Sequence, residues 1–167
     1  MKSGRFAILR DYLQKTQSKV ILPKIVYDEL EATYERHLST LVNCFIRAKG
    51  SLAAVLSQTQ LPDINVSIMK EVASYMTYMK STLGVEDAEI FDYKESYLHD
   101  VIERAIHRKR PCTDRGEEIR DAILWHCVLD IANDAPDKTL IFISENKKQF
   151  TLGADTLHPE LLEDCSK

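Results

Sequence analysis

Apolar positions recur at helical spacing along most of this chain and run continuously in only two places. Phe6, Leu9 and Leu13 share one stripe, which predicts a short amphipathic helix over residues 6–14. Residues 19–22 form a short apolar run ending at Pro23, read as a strand. Proline is tolerated in a first turn, so a helix is expected from about Lys24. Its period continues through Glu31, Tyr34 and Leu38 towards Leu56, with a candidate break at Gly50-Ser51. Gln58-Thr59-Gln60-Leu61-Pro62-Asp63 reads as a loop, and Asn65 or Ser67 can cap the next helix. That helix carries Ile68, Val72, Tyr75, Met76 and Met79 on one stripe, a core face by its spacing, and ends at Gly84.

Residues 92–108 predict another helix, stopped by Pro111. Asp114 and Glu117 can box-cap the helix that follows, which runs to about Asn133. Residues 133–138 read as a loop, 139–143 as a strand, and 158–164 as a short terminal helix. Both strands are continuous apolar runs, so both are expected to be covered on two faces, as in a parallel sheet. Two parallel strands alone make a poor sheet, so a further element is expected between or beside them. The order predicts an α/β domain dominated by helices.

The chain's 167 residues suit one domain, 1–167. The longest apolar runs are far too short to span a bilayer, and no apolar h-region follows the N-terminus, so neither a membrane nor a signal peptide is expected. Cys44, Cys112, Cys127 and Cys165 are scattered without C-x-x-C spacing. That argues against a zinc ribbon or a disulfide scaffold and for a reducing compartment, the cytoplasm. A net charge of -4 argues against a passive nucleic-acid coat, though not against an enzyme with an acidic centre and a basic rim. No Gly-rich phosphate loop and no G-x-S-x-G elbow is present.

The candidate chemistry is acidic. Glu29 falls on one side of its helix with Leu22, Ile25 and Val26, where a carboxylate needs a partner, a proton or a metal. It equally suits the positive end of the helix dipole as an early-turn acid. Asp121 shares a stripe with Leu124, Trp125 and Val128, one turn after Glu117; alternatively it is an edge acid paired with Arg120 or Arg115. Ser144-Glu145-Asn146 ends the second strand with a hydroxyl, a carboxylate and an amide, all hard oxygen donors suited to Mg²⁺ or Mn²⁺. Sites in open parallel sheets gather beyond the carboxyl ends of strands, although the triplet also reads as an ordinary turn. The basic run His107-Arg108-Lys109-Arg110, with Arg115 and Arg120, can hold phosphates; a solvated helix C-terminus would favour the same cations.

These segments together resemble the PIN domain family. Val20 through Leu30, V-I-L-P-K-I-V-Y-D-E-L, resembles the second strand and acidic helix. Gly116 through Trp125 resembles the G-x-x-x-R-D-A-x-x-W helix of a PIN-like subfamily, and Ile141 through Phe150 its terminal strand and S/T-x-N/D…F segment. The ending Leu157-His158-Pro159-Glu160-Leu161-Leu162 fits the same subfamily, while residues 40–100 read as a helical insertion. The resemblance implies a three-layer α/β/α fold with a small parallel sheet, and a metal-dependent endoribonuclease acting on single-stranded or structured RNA, as a toxin or defence effector. It makes Glu29 and Asp121 metal-site acids. Ser144 and Asn146 stand at the hydroxyl and fourth-acid positions, and Glu145 contributes where Asn146 replaces an acid.

The family opens with a strand carrying an aspartate, usually as D-T/S-N, at the centre of the sheet; here Met1 follows that point, and Asp11 lies on a predicted helix. Three readings stand: an upstream start, a strand completed by a partner protein or a second copy, or an inactive relative. A non-catalytic subunit acting through protein contacts is the alternative function. A helical adaptor unrelated to nucleases is a third; it requires 139–143 to be helical, against its β-branched content.

Overall fold

A computed structural model of the chain describes residues 4–56, 61–113, 118–153 and 156–166. Its elements are α1 (Gly4–Thr16), β1 (Leu22–Pro23), α2 (Lys24–Ala53), α3 (Ile68–Leu83), β2 (Ile90–Phe91), α4 (Leu98–His107), α5 (Ile119–Asp134), α6 (Lys147–Phe150) and α7 (Pro159–Asp164). Short 3-10 turns occupy Asp87–Glu89 and Glu95–Tyr97. β1 and β2 pair in a two-stranded sheet, so the architecture is α/β with a small sheet.

The chain divides into two compact units. One comprises Met1–Leu22 and Tyr27–Ile90, the other Pro23–Val26 and Phe91–Lys167. The first is organised by α3. Val72, Met76 and Met79 are buried at i, i+4, i+7 spacing, and Phe6, Leu22, Tyr27, Leu30, Tyr34 and Leu83 pack against them. Tyr34 and Tyr75 stack in parallel with ring centroids 4.0 Å apart. The stripe expected to be core is therefore core. Gly84 ends α3 in the left-handed region, at φ 66°, which a glycine adopts without a Cβ penalty; its N–H bonds to the Lys80 carbonyl.

The second unit is organised by α5. Trp125, Phe150 and Leu161 form one buried cluster, with Leu124, Val128, Phe142 and Leu157 against it. Tyr97, Val101, Cys112, Ala122 and Cys127 form another. The two clusters occupy successive faces of one helix, which explains its dense apolar composition.

Four expectations change. The first strand shrinks from 19–22 to Leu22–Pro23, and its partner β2 was not foreseen. α2 runs unbroken through Gly50 to Ala53, because continued helical hydrogen bonding, including Ala54 N–H to the Gly50 carbonyl, outweighs one glycine's entropic cost. The helix expected over 92–108 starts at Leu98. Residues 92–94 stay outside it, with Lys94 drawn to Asp130 at 2.6 Å. The largest change is at 139–143, which joins no strand among the described residues and is not covered on two faces. Phe142 alone reaches the Trp125–Phe150 cluster, while Leu140, Ile141 and Ile143 are 43%, 62% and 75% exposed. A β-prone run becomes a strand only where a neighbour supplies the ladder. The Asp114–Glu117 cap lies outside the described residues, as do positions 57–60 of the predicted loop.

Candidate functional site

The geometry of greatest interest lies in the second unit, where α5 meets the segment leading into α6. Asn146 Nδ2 donates to Asp121 Oδ2 at 2.6 Å, and the Asn146 backbone N–H donates to Ser144 Oγ at 3.1 Å. The Asn146 carbonyl accepts from the N–H groups of Gln149 and Phe150, which seats α6 directly after it. Phe150 then locks that turn into the core beside Trp125, one turn after Asp121 on α5. Three residues identified from two distant motifs, Asp121, Ser144 and Asn146, are thus brought together, all partly buried. Glu145, between Ser144 and Asn146, is exposed.

Behind them runs a chain of polar groups that the sequence analysis missed. Thr113 Oγ1 donates to Gln149 Oε1 at 2.6 Å, and Gln149 Nε2 donates to Glu118 Oε1 at 3.0 Å. Gln149 is buried, and Glu118 Oε2 is buried with no hydrogen-bond partner among the described residues. Burial pushes the Cys112 thiol up to about 11, and the carboxylates of Glu118 and Asp121 add to that push. Glu118 lies three residues before Asp121, on the same helix face; that spacing was its sequence signal, which the choice of Glu117 obscured. Nothing in the sequence marked Gln149.

A second polar network braces α4 against α5 and α7. Arg104 is buried and binds Asp100 Oδ2 through Nε at 2.6 Å, Asp164 Oδ2 through Nη2 at 2.8 Å, and the Arg110 carbonyl through Nη1 at 2.6 Å. Trp125 Nε1 donates to the same Asp164 oxygen at 3.0 Å, and His126 Nε2 meets Asp100 Oδ2 at 2.8 Å. Burial opposes ionisation of Asp100, but the Arg104 guanidinium and His126 outweigh it and hold the carboxyl below its ordinary range. The His126 ring stacks on Tyr97, whose hydroxyl donates to Asp130. Burial and that hydrogen bond push the Tyr97 hydroxyl upward.

The remaining expected residues fall as follows. Glu29 lies on α2, in the other compact unit, and is exposed. Arg108, Lys109 and Arg120 are exposed, and Arg108 caps α4 in the left-handed region. Arg110 is committed differently: its Nη1 donates to the carbonyls of Lys148 and Gln149, and its backbone N–H to Glu160. Arg115 lies outside the described residues.

A family model of the PIN domain matches residues 2–150, and the chain belongs to that family. Membership carries a nuclease-type function and RNA as the class of ligand. No curated protein and no solved structure matches the chain. No helix among the described residues is long and apolar enough to cross a membrane.

PIN domains are generally dependent on divalent metal. The donors at Asp121, Ser144 and Asn146 suit a hard divalent ion in kind, and the orphaned Glu118 oxygen is a buried acceptor that a proton or cation would satisfy. In number the set is short. Among the described residues, no three of His, Cys, Asp and Glu are grouped so as to hold an ion.

Proposed function

We propose that this chain is a metal-dependent endoribonuclease of PIN type, hydrolysing RNA phosphodiesters in the cytoplasm as a toxin or defence effector. We take residues 1–167 as one PIN domain with a helical insertion at about 40–100; the family match, running across both compact units, supports this. The observation that carries the catalytic reading is the Asp121–Asn146 hydrogen bond, which joins two motifs of that family 25 residues apart.

Asp121 and Asn146 would hold Mg²⁺ or Mn²⁺, with Ser144 and Glu145 beside them; Glu29 is a metal-site acid by the resemblance alone. Held there, such an ion would supply charge neutralisation at the scissile phosphate and a lowered pKa for the attacking water. Asp121 takes its orientation from Asn146, and Asn146 from Ser144 and α6. Arg108, Lys109, Arg115 and Arg120 hold backbone phosphates. Arg110 shares that basic run while tying residues 148 and 149 in place.

The test is cleavage of labelled single-stranded RNA with Mn²⁺, against EDTA and Asp121→Asn. Cleavage lost in both controls, with the variant folded, is the expected result. Cleavage unchanged in Asp121→Asn would sink the assignment. The exposed 139–143 run, which joins no strand among the described residues, favours a second reading, a non-catalytic subunit that acts by binding a partner.

A further inference from the structure

Asn146 leads directly into Lys147 and Lys148, which begin α6. The same turn buries Gln149 and Phe150, so its outer side is left to the two lysines, both exposed. Arg120 stands next to Asp121 in the same way, exposed at the start of α5. Consecutive Cα atoms are about 3.8 Å apart, so each of these three cations has its Cα within about 8 Å of the Cα of Asp121 or Asn146. Those two residues are themselves joined by a hydrogen bond of 2.6 Å. A further cation, the Arg110 guanidinium, sits against the carbonyls of Lys148 and Gln149.

Arg108 and Lys109 have different surroundings. They line a cleft, bounded by residues of α4 and α7, that holds five carboxylates. Arg104 binds two of these, Asp100 and Asp164. Glu103, Glu160 and Glu163 remain against Arg108 and Lys109, so the cleft offers a polyanion little net attraction. Neither Asp121 nor Asn146 lines it.

We propose that Lys147 and Lys148 hold the phosphates of a single-stranded RNA nearest the Asp121–Asn146 pair, so that the strand passes along α5 and α6 and not through the α4–α7 cleft. A lysine ammonium is a compact, rotatable point charge, which grips phosphates without reading bases. Arg108 and Lys109 then contribute the smaller share of the phosphate binding. This deepens the ribonuclease reading and rests on it for the identity of the ligand.

The test is binding of a labelled oligouridylate to the full chain in EDTA, where metal-dependent cleavage is suppressed, over a range of salt concentrations. Lys147→Gln combined with Lys148→Gln should weaken binding by about tenfold or more at low salt. It should also lower the salt slope by about 1.4, the share of two single-strand phosphate contacts. Arg108→Asn combined with Lys109→Gln should weaken binding less; asparagine suits the left-handed backbone at Arg108. An oligocytidylate of equal length should lose as much from the lysine change, because the contact is to the backbone. Circular dichroism checks the fold of each variant. No salt-dependent binding by the unsubstituted protein, binding indifferent to the lysine change, or an equal or larger loss from the Arg108 and Lys109 change would overturn the inference. RNA bound through the lysines but left uncleaved when Mn²⁺ is added would count against the ribonuclease reading and leave this inference standing.

Discussion

The two compact units are stabilised in different ways. In the first, the buried residues of α3 are Val72, Met76 and Met79, packed by aromatic and aliphatic neighbours. In the second, an apolar helix carrying Trp125 is laced to its neighbours by Arg104, Asp164, Asp100 and His126. An apolar core sets few directional demands and tolerates repacking, especially one built on methionine. A buried ionic network demands every partner, because removing one leaves the others desolvated and unpaired. The unit with those demands is the one holding Asp121 and Asn146 at 2.6 Å. Positional precision and the Asp121–Asn146 pair thus lie in the same unit.

Breaking the network should have the largest effect. Arg104→Ala removes the group that bridges Asp100, Asp164 and the Arg110 carbonyl. A loss of about 3–5 kcal/mol is expected, read from urea denaturation. Met79→Ala in the first unit should cost less, about 2–4 kcal/mol, because the flexible neighbours can partly fill the space. If Met79→Ala proved the costlier, the contrast between the two units would be wrong.

Acid sharpens the same contrast. The Asp100 carboxyl is held below its ordinary value in the folded state, so it binds its proton less readily there than in the unfolded chain. Its contribution is fully present above the unfolded value of about 4 and is lost as pH falls through the lower folded value. The denaturation midpoint should therefore differ between the protein and Asp100→Asn at neutral pH, and the difference should close below about pH 4. A difference that stays constant with pH would detach Asp100 from the network.

The smallest effect concerns thiols. Burial pushes the thiols of Cys112 and Cys127 to about 11, and both lie in the second unit's core. Cys44 and Cys165 are exposed. Alkylation of the native protein should label the latter pair and spare the former until denaturant is added. Fast labelling of Cys112 or Cys127 would mean that this core opens readily.

Most helices were legible because each carries its own signal. The stripe from Ile68 to Met79 with Gly84 behind it places α3, and proline at the head of residues 159–164 places α7. The start of α4 was not legible. Lys94 and Tyr97 are held by Asp130, more than thirty residues away, which no local window contains. At the candidate site, Asp121, Ser144 and Asn146 were named from motif and spacing. Glu118 and Gln149 were missed, because burial beside them depends on how α5, α6 and residues 112–113 pack.

The sequence by itself determined the periodic elements, the apolar faces of α3 and α5, and the family. Those follow from local stereochemistry and from which side chains leave water. Tertiary structure decided whether 139–143 is a strand, since a ladder needs a neighbour that composition does not supply. It also decided that Arg110 binds carbonyls, that Arg104 anchors a buried network, and that Asp121 meets Asn146. Hydrogen bonds between distant residues form only after the chain has brought them within about 3 Å, and no periodicity encodes that approach.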